Sequence, residues 1–138
     1  MTQYWLCVTD QPNWTVIKER SIWGVSERNK HKLESVKEGD MLVFYVKPKM
    51  VAGIFKAKTT SFINQSEVFI SKKVHEGEKF PHRIKLEKVL VLEKPIDIEE
   101  LVSSLTFIIS KKMWRGYFRR AMQKISKQDY MTIESRVS

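Results

Sequence analysis

The sequence predicts an α+β fold in which strands dominate the first two thirds of a 138-residue chain. Three patterns support this class. The apolar and aromatic run Met41–Val46 is typical of a buried strand. Residues 82–93 show the alternation of a second strand. Arg83 is predicted to face outward, and the residues predicted to face inward are Ile84, Leu86, Val89 and Val91. Large apolar residues recur at helical spacing over residues 114–125, which predicts an amphipathic helix near the C-terminus.

The N-terminal half alternates short elements with polar turns. Residues 4–8 predict a buried strand, and Asp10 predicts the start of a helix over 12–20, because its carboxylate can accept free backbone N–H groups. A short apolar strand follows at 22–25. Turns at 36–40 and 47–49 flank Met41–Val46, and another strand covers 51–58. Gly53 within that last strand indicates a bulge, a bend or a close backbone approach.

The second half is less regular. Residues 59–80 lack clear periodicity and predict a long excursion with one short element near 68–70, for which a binding loop and disorder are the alternatives. Asp97 and Glu100 form a capping box that predicts a helix after the alternating strand. Ser126 and Asp129 predict a final short helix toward Ile133 by the same logic.

Length and charge suggest the class of partner. A chain of this length is expected to form one domain spanning residues 1–138. Its 25 Lys and Arg against 16 Asp and Glu give a net charge of +9. This balance is typical of proteins that bind nucleic acid, with a solvated lysine-rich surface as the alternative. The region 111–124 carries six cations and no acid, which would form one face of the predicted helix: Lys111, Lys112, Arg115, Arg119, Arg120 and Lys124.

Several classes of site are not expected. The single cysteine, Cys7, and three scattered histidines offer neither a disulfide framework nor a Cys-rich zinc site, so no metal or cofactor is predicted. No segment approaches the ~20 apolar residues of a membrane span, and the N-terminus lacks a signal-peptide pattern. The sequence thus predicts a cytoplasmic protein without membrane contact, and it leaves the oligomeric state open.

Motifs for catalysis are also missing from the sequence. It contains no Gly-rich phosphate loop, no Gly-x-Ser-x-Gly elbow and no His-Glu-x-x-His helix, which predicts a protein that is not an enzyme. Cys7 lies on a predicted buried strand, where a thiol is inert. The alternative enzyme would be an RNA-processing activity in which His82 beside Arg83 acts on a phosphodiester.

Three of the four tryptophans fall within the first 23 residues. Indole rings serve either in a core or as stacking surfaces for flat ligands such as nucleobases. Trp5 on a buried strand favours the core, and Trp14 early in a helix favours packing, with ligand contact as the alternative. Trp23 precedes Gly24, and a glycine there permits another group to approach the indole closely.

The order of several motifs resembles that of EVE domains over nearly the whole chain. The first set is Tyr4-Trp5, Asn13-Trp14, Ile22-Trp23-Gly24-Val25, Gly39-Asp40, Ala52-Gly53-Ile54 and Phe80-Pro81-His82-Arg83-Ile84. The resemblance continues through residues 105–114, Ile125-Ser126 and Asp129-Tyr130. EVE domains belong to the PUA-like superfamily and are similar to YTH domains, which bind methylated adenine in RNA. The implied fold is a mixed, strongly curved β-barrel of five or six strands with peripheral helices.

The resemblance also implies a site. Trp23 matches the tryptophan of an aromatic cage that holds a modified base, and Asn13 matches a polar position of the same pocket. Gly24 and Trp14 are further candidate pocket residues, and Phe62 and Phe69 are the candidates for the second wall of the cage. Phosphate contacts are assigned to four cations: Arg83, Lys112, Arg115 and Arg119.

The hypothesis is a non-enzymatic module that recognises a modified nucleobase, expected to be methylated, in RNA or DNA, presented single-stranded or flipped from a duplex. It uses an aromatic pocket and a basic surface. The alternative is a regulatory or protein-interaction domain whose pocket binds a small metabolite or a partner's side chain. Sequence alone leaves open which modification is bound and whether the nucleic acid is RNA or DNA.

Overall fold

The computed structural model describes residues 1–64 and 80–137, so the candidate residue Phe69 and the element predicted near 68–70 lie outside it. The described residues contain seven strands, β1 Tyr4–Thr9, β2 Ile22–Val25, β3 Met41–Val46, β4 Met50–Ala57, β5 Phe62–Ile63, β6 His82–Asp97 and β7 Met122–Ile125. They also contain the helices α1 Gln11–Arg20, α2 Lys30–Glu34 and α3 Lys127–Val137. Short 3-10 helices occupy Glu27–Asn29, Ile98–Glu100, Val102–Ser104 and Trp114–Phe118.

The strands form one mixed sheet in the order β2-β6-β4-β3-β1-β7, with β5 paired to β6. Only β1 and β3 run parallel among the described pairs. The 16-residue β6 pairs with β2 and β5 at its start and with β4 farther along, and the sheet curls into a half-barrel. The sheet has one strand more than the predicted maximum, and β5 is only two residues long.

Both faces of the sheet are buried, and the alternation of β1 shows this directly. Trp5 and Cys7 belong to a first core that includes residues of α1 and α2. Leu6 and Val8 point the other way into a second core, formed with the segment 98–118 and α3. Burial raises the pKa of the Cys7 thiol well above its usual value, as expected for an inert core residue.

Two predicted helix starts are confirmed by their caps. The Asp10 carboxylate accepts a hydrogen bond from the Asn13 backbone N–H at 3.1 Å and begins α1. The Ser126 hydroxyl accepts one from the Asp129 N–H at 3.1 Å at the start of α3. Asp97 also caps, through the Glu99 N–H at 2.9 Å. However, a 3-10 turn follows Asp97 where a helix was predicted.

The predicted amphipathic helix over 114–125 is wrong. Trp114 and Phe118 are buried on a 3-10 helix, after which the chain becomes strand β7 and pairs antiparallel with β1. Residues three apart on a strand point to opposite faces, and Met122 and Ile125 accordingly belong to different cores. Pairing with the edge of β1 therefore overrides the helical spacing, and the six cations of this region do not share one helix face.

The predicted orientation of β6 needs two corrections. Val89 is 48% exposed, because the β4–β6 register shifts where Ile54 pairs with Leu90 and Phe55 with Lys88. This shift leaves Val89 as the extra residue of a bulge. Arg83, predicted to face outward, is 1% exposed. The start of β6 is enclosed, since His82, Arg83 and Ile84 are all buried in succession.

Gly53 makes a close backbone approach, one of the three alternatives predicted for it, and Gly53→Ala should destabilise the protein. An added Cβ would lie 2.8 Å from the Leu90 carbonyl oxygen and 2.9 Å from a carbon of the Trp14 ring. We expect a loss of about 1–3 kcal/mol of unfolding free energy by chemical denaturation. Gly116→Ala is the control, since no atom lies within 4 Å of its added Cβ and the change should be neutral or stabilising. Equal stability of the two variants would refute the assigned packing.

Candidate functional site

A cavity of about 540 Å³ opens at one end of the sheet. Its walls come from the end of β1, the first turn of α1, β2, the helical segments after β2, the β3–β4 turn and the segment before β7. Three of the predicted pocket residues, Trp23, Asn13 and Gly24, line it together. The structure thus brings the core of the sequence-predicted site into one place.

Trp23 forms a wall of this cavity and also packs into the first core. Its side chain is 4% exposed, and its ring meets Phe44 edge-on at a centroid distance of 5.4 Å. Within the described part of the chain, its indole Nε1 is the only buried side-chain nitrogen or oxygen without a hydrogen-bond partner. An unsatisfied buried donor costs about 1–3 kcal/mol, which makes Trp23 unusual among the buried residues.

The polar side of the cavity is organised by the start of α1. Asp10 and Asn13 both line the cavity, and Asn13 is 8% exposed. Because the cap places Asn13 in the first helical turn, its side chain is presented on a rigid element. Gly24 continues the wall from β2, where it pairs with Arg83 of β6.

Trp14 and Phe62, two further predicted pocket residues, do not line the described cavity wall. Trp14 is 3% exposed and packs in the first core, with ring centroids 5.6 Å from Phe44 and 5.9 Å from Phe55. Phe62 lies on β5 opposite Arg83. Trp14 therefore serves as scaffold beneath Gly53. Strand β6 lies between Phe62 of β5 and Gly24 of β2.

Phe80 lines the cavity and was missed by the sequence prediction. Its backbone adopts a left-handed conformation with φ of 47°, which is rare for a bulky residue. The buried Arg83 donates from Nε to the Phe80 carbonyl oxygen at 3.0 Å. Arg83 is therefore placed to hold Phe80, and burial lowers the pKa of its guanidinium. The motif Phe80-Pro81-His82-Arg83 was the signal that could have identified Phe80.

Five cations and a single acid line the described cavity wall. The acid is Asp10, which caps α1, and the cations are Arg28, Lys32, Lys47, Arg119 and Arg120. None of these cations forms an ion pair within residues 1–64 and 80–137. Counting only the described lining, five cations against one acid leave an excess of positive charge, and such a field attracts anions.

The four cations predicted to contact phosphate lie in different places. Arg119 lines the cavity. Lys112 is exposed elsewhere on the surface. Arg115 covers the Trp114 ring at 4.5 Å and lies 3.9 Å from Glu99. Arg83 is internal, as described above. Only Arg119 of the four therefore shares the cavity with Trp23.

His82 is not paired with Arg83, as the alternative RNA-processing enzyme would require. Its buried imidazole is hydrogen-bonded to the Glu27 carboxylate, and this bond is the main cause of the lowered pKa of Glu27. Glu27 begins the 3-10 segment Glu27–Asn29, two members of which line the cavity. His82 thus helps to anchor one wall of the cavity.

Neither a membrane-spanning helix nor a metal site is found in the described residues. The helices there are too short or too polar to cross a bilayer. Across 1–64 and 80–137, no three His, Cys, Asp or Glu side chains gather closely enough to hold a metal ion.

Comparison with known proteins confirms the resemblance found in the sequence. The EVE domain profile matches residues 3–136. A UPF0310 protein of Pyrococcus abyssi is 37% identical over 142 residues, covering 96% of this chain and 97% of that relative.

Two solved structures share the fold. The YTH domain of Zygosaccharomyces rouxii MRB1 protein, in complex with N6-methyladenosine RNA, has a TM-score of 0.70 at 14% identity, covering 99% of this chain and 86% of that one. Human THYN1, in complex with DNA containing 5-methylcytosine, has a TM-score of 0.67 at 12% identity, covering 99% and 98%. At these identities the likeness shows the fold alone, and it confirms the predicted PUA-like architecture.

Proposed function

Because the chain belongs to the EVE domain family, we propose that it is a non-enzymatic module that binds nucleic acid and holds a modified nucleobase in the cavity beside Trp23. One observation carries this proposal. The described cavity lining combines aromatic walls, a side-chain amide and five cations against a single acid. This combination suits a flat ring joined to an anionic backbone.

The aromatic and amide residues supply the discrimination. A methylated base has gained apolar area and lost some hydrogen-bonding capacity, so aromatic walls favour it over the unmodified base. We assign these walls to Trp23 and Phe80, and the reading of the base edge to Asn13 with Gly24. Stacking of a base on an aromatic side chain contributes about 1–3 kcal/mol.

A cavity favours a nucleotide that is single-stranded or already flipped out of a duplex. A base in a duplex has to leave the stack before it can enter a cavity, which costs a few kcal/mol. A single-stranded nucleotide avoids that cost, and a flipped nucleotide has already met it. The cations, Arg119 among them, hold the backbone, and such contacts position the nucleic acid without reading its sequence.

The structural neighbours support the choice of ligand class. The MRB1 YTH domain was solved with N6-methyladenosine RNA, and THYN1 with DNA containing 5-methylcytosine. Both ligands are methylated nucleic acids. The shared fold makes these two modifications the first probes to use with this protein.

The test is a binding panel of matched oligonucleotides that differ only in one modification, each measured single-stranded and double-stranded. We expect one modified single strand to bind about fourfold more tightly than its unmodified partner, because burial of one added methyl group contributes about 0.8 kcal/mol. Affinity should also fall steeply as salt rises, because bound phosphates release counterions. Equal affinity for all matched pairs would contradict base recognition, and a flat salt dependence would contradict backbone binding.

A further inference from the structure

Three of the five cavity cations lie close together on one wall. Arg119 and Arg120 are consecutive in the segment before β7, and Lys32 reaches this segment from α2. The ammonium of Lys32 donates to the Met122 carbonyl oxygen at 3.2 Å. Lys32, Arg119 and Arg120 together are termed the cationic wall.

The cationic wall is fixed by backbone contacts on both sides. The Val8 N–H donates to the Ala121 carbonyl oxygen at 2.8 Å, which ties the segment to β1. Lys32 ties the next carbonyl, that of Met122, to α2. A partly buried ammonium held by one hydrogen bond keeps its remaining N–H groups available for an anion.

Within residues 1–64 and 80–137, no acidic side chain forms an ion pair with the cationic wall. Burial, and then the nearby charge of Arg120, lower the pKa of Lys32. Like charges that are held together without a counter-ion favour the binding of an anion between them.

The cavity is large enough to hold more than a nucleobase. Cavities of about 300–1,000 Å³ accommodate whole drug-sized molecules, and this cavity has about 540 Å³. A base beside Trp23 would leave space that the cationic wall borders. The attached sugar and phosphate are the natural occupants of that space.

We infer that the cationic wall is a phosphate subsite that binds the phosphate of the same nucleotide whose base lies beside Trp23. The ligand unit is then a nucleoside monophosphate, free or within a strand, and this identification rests on the proposed function. Arg28 and Lys47 on the same cavity wall are left for the neighbouring phosphates of a longer strand.

The first test needs no base. Inorganic phosphate is titrated into the whole protein at constant ionic strength, and the backbone amide signals of residues 119–122 are followed by NMR. We expect saturable shifts in the wild type and at least about fivefold weaker binding in Lys32→Gln and in Arg120→Gln. Lys112→Gln, which changes an exposed lysine away from the cavity, should bind as the wild type does. Wild-type affinity in both cavity variants would overturn the subsite.

The second test compares N6-methyladenosine and 5-methyl-2′-deoxycytidine with their 5′- and 3′-monophosphates. At least one monophosphate should bind about fivefold or more tightly than its nucleoside, and Arg120→Gln should reduce this ratio to below about two. Because Arg120 is exposed, this variant should fold even if Lys32→Gln does not. The inference would be overturned if both nucleosides bind as tightly as their own 5′- and 3′-monophosphates.

The two proposals fail in different ways. If modified and unmodified bases bind equally while phosphate still depends on Arg120, base recognition is wrong and the anion subsite stands. If modified bases are preferred but phosphate adds nothing, the proposed function stands and the subsite is wrong.

Discussion

Trp23→Leu is expected to lower affinity for the preferred modified oligonucleotide by roughly 5- to 150-fold, the loss of one base-stacking contact. Preference over the unmodified oligonucleotide should disappear with it, because leucine retains apolar bulk but offers no flat ring. Leucine is a better choice than alanine at this position. Trp23 also packs against Phe44 in the first core, and truncation of such a residue to alanine costs about 3–5 kcal/mol.

Trp14→Leu is the matched control for this measurement. Both tryptophans are buried in the same core, and both rings contact Phe44, but only Trp23 lines the cavity. The two variants should lose comparable unfolding free energy, while only Trp23→Leu loses discrimination. Binding curves for the modified and unmodified oligonucleotides, with denaturation of both variants, give the comparison. Equal loss of discrimination in both variants would assign the effect to folding.

The strands of the first half could be predicted because their signals are local. Met41–Val46 forms the predicted strand with the predicted bounds, and Asp10 caps the predicted helix. Gly53 could be interpreted for the same reason, because few structural features require a glycine inside an apolar strand. The resemblance to EVE domains then supplied the fold, which composition and periodicity alone left at α+β.

The errors arise where distant pairing decides the structure. Nothing local distinguishes a helical stripe over 114–125 from a 3-10 turn followed by a strand, because the choice depends on the free edge of β1. Arg83 was predicted to be outside because strand alternation does not show that the start of β6 lies between β2 and β5. Phe80 was missed because its place on the cavity wall depends on a left-handed turn held by that same buried arginine.

Asp40 was interpreted from sequence only as a turn residue, yet it carries the largest stability prediction. Its side chain is 1% exposed and accepts four hydrogen bonds. The donors are the Gln3 backbone N–H at 2.9 Å, Gln3 Nε2 at 2.8 Å, Trp5 Nε1 at 3.1 Å and the Lys37 N–H at 2.9 Å. This carboxylate therefore joins the N-terminal segment, β1 and the turn before β3.

Asp40→Ala is expected to cost about 3 kcal/mol or more of unfolding free energy, because hydrogen bonds to a charged group are lost and the buried Trp5 N–H is left without an acceptor. Trp5→Phe removes that donor and serves as the partner of a double-mutant cycle. The double variant should be less destabilised than the sum of the singles by at least about 1 kcal/mol, since phenylalanine leaves no indole N–H to be orphaned. Additive losses in denaturant unfolding would show that the buried Trp5–Asp40 bond does not stabilise the fold. A coupling of the expected size would locate the stabilising role of Asp40 in its interior contact with Trp5, at a site separate from the ligand cavity.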